Sequence, residues 1–304
     1  MLKIILSILI CIFLIILLLG CRKAVQFGLK PKELQEDMVF ENGKIYFKEE
    51  RLEVRYVITK ELVKDNKNNG IIFYFHGFDR TELEWVSKNG FGNSYYEELR
   101  KNPDFKSLPV VSISLGKTFL FLKYLPKPFD ADTESLFTDK IVPYFKEKLN
   151  SNGKVYLIGH SMGGFNALTL SLRNPGMFPV IAIMSPYVAP ISPFTDNFDK
   201  MGEKLKMPKL QVKMLKNILT KAFQSEEVWY EYNPFKLAEE KNKFPFIIMS
   251  TATNDLPGFE ASIKDFDKLL SEKKIEHYFC DAPGDHDTTC KMLFFKFLEV
   301  ISSR

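Results

Sequence analysis

Along residues 44–47 and 51–60 apolar side chains alternate with charged ones, the two-residue period of an edge hairpin that buries one face. The pattern then changes. The stretch "IIFYF", 71–75, is apolar without interruption, as in a strand covered on both faces, and further strand-like segments recur at 110–115, 155–158, 180–184, 246–250 and 275–279. Between them the apolar spacing lengthens to the helical period at 134–149, 165–173, 259–271 and 291–301. Thr81 and Glu84 stand at capping-box spacing for a further helix running towards Arg100. Strands and helices alternating in this rhythm predict βαβ units with right-handed crossovers, hence an α/β fold whose mostly parallel sheet carries helices on both faces. Such sheets present their chemistry at the carboxyl ends of the strands.

One stretch breaks the rhythm. Residues 187–243 are too many for a simple connection and carry a helical pattern of their own. Beyond Pro208, the side chains of Leu210, Met214, Leu215, Ile218, Leu219 and Phe223 fall on one face, with Lys213, Lys216 and Lys221 spread around the other. We read a cap inserted over the sheet edge, its lysines solvated; a membrane-binding helix is the alternative. The folded domain is therefore taken as 44–304, preceded by a tether at 22–43.

Composition bounds the partners. The chain has 304 residues, 45% hydrophobic and 26% charged, ample for one large core. Its net charge of +4 is small and its lysines are interspersed with glutamates, so no nucleic-acid partner is implied. Residues 1–21 are of another kind: one lysine precedes a long apolar run that ends at Gly20 and Cys21, the layout of an export signal or a membrane anchor. The end of the run, "LLGC", resembles a bacterial lipobox, in which cleavage leaves Cys21 to carry lipid. The other reading keeps the run as an uncleaved signal anchor, near the lower limit of about 17 residues for a spanning helix. Both predict a domain outside the cytoplasm, tethered to the cell membrane or outer membrane. Cys280 and Cys290 then remain in the domain, where an oxidising compartment invites a disulfide and two free thiols are the alternative.

The chemistry centres on "KVYLIGHSMGGFNALTL", 154–170. Gly159, Ser161 and Gly163 form a G-x-S-x-G pattern between a predicted strand and a predicted helix, the layout of a nucleophile elbow with Ser161 at its apex. Glycine is needed there because a Cβ would collide with the neighbouring strand or helix. A serine hydroxyl needs a base within reach, and the base needs an acid to fix its tautomer. Of the four histidines, His76 belongs to a buried strand end, His160 must point away from the side that presents Ser161, and His277 lies inside a strand. That leaves His286, in the loop "DAPGDHDTTC" at a carboxyl edge. Asp255, in "TATNDLPGF" after another strand, is the candidate acid; Asp281, Asp285 and Asp287 are its rivals, and a turn-capping role is open to each. The N–H groups of Met162 and of Phe78, in "FHGFDR", are the candidate oxyanion donors. In the apolar loop "TFLFLKYLPKPF", Phe119 and Phe121 either wall the acyl side of a pocket or pack beneath the cap. Metal-ligand spacing and a phosphate-cradling glycine loop are both missing from the sequence, so no cofactor is implied.

Taken together, "FHGF", "GHSMGGFNAL", "IAIMSP", "YNPFKLAEE", "ATNDL" and "GDHD" make residues 70–298 resemble the esterase D-like branch of the α/β hydrolases. That branch includes S-formylglutathione hydrolases, enterochelin and feruloyl esterases and the mycobacterial mycolyltransferases. The order Ser161, Asp255, His286 is the order of its triad. The sequence departs from the pattern at Ala252, where glycine is usual, and in having no tryptophan after His286. The resemblance implies an α/β-hydrolase fold and a serine esterase that cleaves a small-molecule or lipid ester through an acyl-enzyme. An acyltransferase of cell-envelope lipids or glycans and a non-catalytic binding lipoprotein are the alternatives.

Overall fold

In the computed structural model, which describes residues 38–59, 70–205 and 207–304, the alternating segment forms an antiparallel hairpin of β1 (Phe40–Phe47) and β2 (Leu52–Thr59). β1 begins inside the stretch taken as a tether, because Phe40 and Asn42 already pair with Thr59 and Val57. The export or anchor segment, Cys21 and residues 22–37 of the tether lie outside the described residues. The strand-like segments become β3 (Ile71–Phe75), β4 (Val110–Ser114), β5 (Val155–His160), β6 (Val180–Met184) and β7 (Phe246–Ala252), each buried along its whole length. β8 (His277–Ala282) is half-buried and closes one edge. The strand order is β1-β2-β4-β3-β5-β6-β7-β8, antiparallel across the first two pairings and parallel from β4 onwards.

Successive strand residues feed opposite layers. Ile72, Tyr74, Tyr156 and Ile158 pack with Tyr95 of α1 (Phe91–Lys101) on one face. Phe73, Phe75 and Leu157 pack on the other, against Phe145 of α2 (Val142–Lys148), which is entered through a wide π-helical turn over Leu136–Ile141, and against Leu168 of α3 (Met162–Arg173). The cap region holds α4 (Asn197–Lys204), α5 (Lys209–Phe223), α6 (Glu226–Tyr232) and α7 (Pro234–Glu240). The chain then returns through α8 (Phe259–Glu272), on the α2 and α3 side, and α9 (Lys291–Ser303), on the α1 side.

Two helical expectations are corrected. No continuous helix runs from Thr81 to Arg100: a single 3-10 turn, Glu82–Glu84, is followed by α1, which starts only after Gly90. Thr81 does cap that turn through the N–H of Leu83, but the Glu84 side chain does not complete the box, because it points into the interior. On α5 the buried residues are Val212 and Phe223, with Leu215 and Leu219 partly buried, whereas Leu210 and Met214 are 60% and 45% exposed. The helix is turned this way by α4, which crosses so closely at Gly202 that a Cβ there would lie 2.4 Å from the Val212 side chain.

Candidate active site

Four carboxyl strand ends meet here. β5 runs into α3 at Ser161, whose backbone is held at φ 53° and ψ −115°, a sparsely populated region for any residue with a Cβ. The crowding of the elbow enforces this: a Cβ on Gly159 would sit 2.1 Å from the Gly163 carbonyl oxygen, and one on Gly163 only 2.0 Å from that of Phe75. The Ser161 N–H donates to the Met184 carbonyl at 2.8 Å, which fixes the elbow to β6. Its hydroxyl lies 2.9 Å from Nε2 of His286, in the loop after β8. Nδ1 of His286 lies 2.5 Å from Oδ1 of Asp255, in the loop after β7. Ser161, Asp255 and His286, far apart in sequence, are thus brought together in the order hydroxyl, imidazole, carboxylate.

The carboxylate is well secured. Asp255 also accepts from the N–H of Leu256 at 2.6 Å and from the Thr251 hydroxyl at 3.2 Å. Burial works to raise its pKa, but the hydrogen bond and charge of His286, together with the bonds from Ser185 and Leu256, outweigh burial and hold the carboxyl below its ordinary value. The rival aspartates are occupied elsewhere. Asp281 faces Lys264 across 3.5 Å, Asp285 accepts from the Thr288 hydroxyl at 3.1 Å, and Asp287 takes Arg80 at 2.9 Å. The ring of Phe259 stands edge-on to His286, with centroids 5.0 Å apart, and Tyr187 packs against Phe259 in turn.

Around the serine, Met162 opens α3, so its N–H belongs to the donor-rich first turn of a helix. Phe78 follows β3; the N–H groups on either side of its own are engaged, Gly77 with Glu84 at 3.0 Å and Asp79 with the Lys117 carbonyl at 2.8 Å. Its side chain is 49% exposed. Phe119 and Phe121 are placed in the core rather than along an open wall. They stack on each other and on His76 and Phe75, and Asn166 of α3 clasps their backbone from both sides. Cys280 and Cys290 are joined by a disulfide, with Cα atoms 6.1 Å apart.

Sequence reasoning missed the layer beneath. His160 does point away from Ser161, yet it lies directly under the histidine loop, and its Nε2 donates to the carbonyl oxygen of His286 at 3.0 Å. Its Nδ1 faces a Glu84 oxygen at 3.4 Å; burial opposes charging the ring, and the carboxylate overrides this and raises its pKa. For Glu84, burial is likewise overcome by His160, Tyr74 and Arg80, which bring its pKa down to about 2. The only sequence signal for Glu84 was its spacing from Thr81, which suggested a cap. His76, 5.0 Å from the Phe119 ring, bonds Ser114 at 2.9 Å, and burial lowers its pKa, leaving a neutral structural ring. Among the described residues no group of three or more potential metal ligands is found, and no helix is long and apolar enough to cross a membrane.

A parallel sheet covered on both faces, with an elbow serine bonded to a histidine and an aspartate at its carboxyl edge, defines a serine hydrolase of the α/β-hydrolase fold. The Esterase family signature matches residues 126–290, over half of the chain. The chain belongs to that family, whose reaction is the hydrolysis of carboxylic esters. Similar solved structures include a ferulic acid esterase (16% identity, TM-score 0.64, covering 89% of this chain and 99% of that one). The S-formylglutathione hydrolase of Agrobacterium tumefaciens gives 15% identity and a TM-score of 0.61 over 91% of this chain and 99% of its own. The fluorophosphonate-binding serine hydrolase F of Staphylococcus aureus gives 13% and 0.58, over 88% and 98%. At these identities the likeness speaks for the fold.

Proposed function

We propose that the protein is an extracytoplasmic, membrane-tethered serine esterase working through an acyl-enzyme on Ser161. As the Ser161 hydroxyl attacks the ester carbonyl, its proton passes to Nε2 of His286, and Asp255 holds the resulting imidazolium in place. The N–H groups of Met162 and Phe78 receive the oxyanion. Collapse breaks the ester C–O bond, and the His286 proton leaves with the alcohol. Water then attacks the acyl-enzyme, giving its proton to His286, and the carboxylic acid departs as Ser161 regains its hydrogen. The observation that carries this reading is the 2.9 Å approach of His286 Nε2 to a serine hydroxyl on a strained elbow. Labelling with a fluorophosphonate tests it: Ser161 is expected to be the modified residue, and label retained in Ser161→Ala would sink the proposal.

The tether rests on the apolar run ending at Gly20 and Cys21, and a disulfide beside His286 accords with an oxidising compartment. The wild type is expected to incorporate radiolabelled palmitate and to run as a shortened chain, and Cys21→Ser to take up no label and keep the full-length mass. A wild type that stays in the membrane pellet at full-length mass and takes up no label would favour the uncleaved anchor.

A further inference from the structure

Glu84 takes no part in the proton path, yet its buried carboxylate is joined to the oxyanion loop and, through His160 and Arg80, to the serine elbow and the histidine loop. One oxygen accepts from the Tyr74 hydroxyl at 2.7 Å and from the N–H of Gly77 at 3.0 Å. The other faces Nδ1 of His160 at 3.4 Å and Nε of Arg80 at 3.5 Å. Gly77 immediately precedes Phe78, the proposed oxyanion donor. His160 immediately precedes Ser161 and bonds the carbonyl of His286 at 3.0 Å. Arg80 reaches both oxygens of Asp287, next to His286, at 2.9 Å. Three segments remote in sequence therefore converge on one side chain, and the break between Thr81 and α1 is what lets Glu84 turn inwards.

Stability does not account for such an arrangement. The Glu84 and His160 side chains are each only 2% exposed, and desolvating two charges costs so much that an apolar set of the same shape is often as stable. What charges and hydrogen bonds supply, and apolar packing does not, is fixed direction. We propose that Glu84 is a positioning residue that holds the Phe78 loop and the His286 loop in register with the serine elbow. This rests on the triad reading above.

The test is steady-state kinetics on purified full-length variants, with rates expressed per folded molecule from near-ultraviolet circular dichroism. Glu84→Gln keeps the shape and an acceptor for Gly77 but removes the charge. It is expected to lower kcat about 30- to 300-fold with KM within about threefold, since a displacement of about 1 Å in a reacting group costs on the order of a hundredfold. His160→Gln is expected to fall in the same range, and the double variant to be no worse than the poorer single, because both interrupt one chain of contacts. The downfield proton resonance of the His286–Asp255 hydrogen bond is expected to shift in Glu84→Gln. Should that variant not fold, Tyr74→Phe removes one of the bonds that orient the carboxylate, and a three- to tenfold loss in kcat is expected. The inference is overturned if folded Glu84→Gln, or Tyr74→Phe in its place, keeps wild-type kcat while only melting temperature falls, or if the two single effects multiply. Ser161→Ala and His286→Ala separate the two ideas: turnover near the wild-type rate in either overturns the triad reading itself, whereas controls reduced about a thousandfold or more beside a Glu84→Gln that keeps wild-type kcat overturn only the positioning role.

Discussion

Ser161 sits in a backbone conformation that costs about 1–3 kcal/mol, and it persists because the chain around it has nowhere else to go. Gly163→Ala is accordingly expected to be worse than any ordinary surface change: the added methyl meets the carbonyl oxygen of Phe75, so β3 and α3 must separate. Both melting temperature and activity should drop, and an alanine variant with wild-type melting would contradict the packing described. For the triad, Ser161→Ala, Asp255→Asn and His286→Ala are each expected to lose about three or more orders of magnitude in kcat while remaining folded. If Asp285→Asn did this and Asp255→Asn did not, the acid would lie elsewhere. Glu84 adds a dependence on pH. Its folded pKa, about 2, lies below the ordinary 4.5, so its ionised form stabilises the fold fully above pH 4.5, and this contribution is lost as pH falls towards 2. His160 works the other way: its raised pKa gives stability that is present below 6.5 and lost as pH rises through the folded value. The melting-temperature gap between wild type and Glu84→Gln should therefore be widest between these limits and close on acidification from pH 4.5 to 2. A gap independent of pH would show that the carboxylate is not the source.

At the scale of elements, what could be read in advance was what burial alone dictates. A strand covered on both faces must be apolar throughout, and β3 to β7 announced themselves in that way. The G-x-S-x-G pattern likewise carries its own geometry, and the histidine and aspartate were found because both follow strands on the edge to which the elbow points. Features that depend on which surfaces meet could not be read. The apolar positions of α5 allow more than one stripe, and only the close crossing of α4 at Gly202 selects the stripe containing Val212 and Phe223. Glu84 was misread for the same reason, since nothing local in sequence tells that Tyr74, Gly77 and His160 will surround it. The α5 assignment is open to measurement at Val212, which the expected stripe lacked: Val212→Ala is expected to cost about 1–3 kcal/mol, and Leu210→Ser to stay within about 0.5 kcal/mol. The reverse order would restore the stripe first expected.

For the whole molecule, the disulfide ties the last strand to the last helix around the histidine loop. Closing so short a loop is worth about 2–3 kcal/mol in the chain-entropy picture. Reductant should lower both melting temperature and activity in the wild type and leave a Cys280→Ser, Cys290→Ser double variant unmoved; two titratable thiols in the native protein would remove the basis for this. The bond also matters because of where β8 lies. Ser161 hangs from the middle of the sheet, held between neighbours on both sides, whereas His286 hangs from a half-buried margin that, among the described residues, pairs only with β7. Native proteins open in patches, and the margins open first. Amide hydrogens of β8 should therefore exchange with deuterium sooner than those of β5, and faster still in reductant. In a urea series, ester turnover should fade while the fluorescence of the buried Trp85 and Trp229 still reports an intact interior. Under gentle denaturing stress the enzyme would fall silent by letting go of its proton acceptor, with most of its architecture still standing, and would regain activity as soon as the margin closes again.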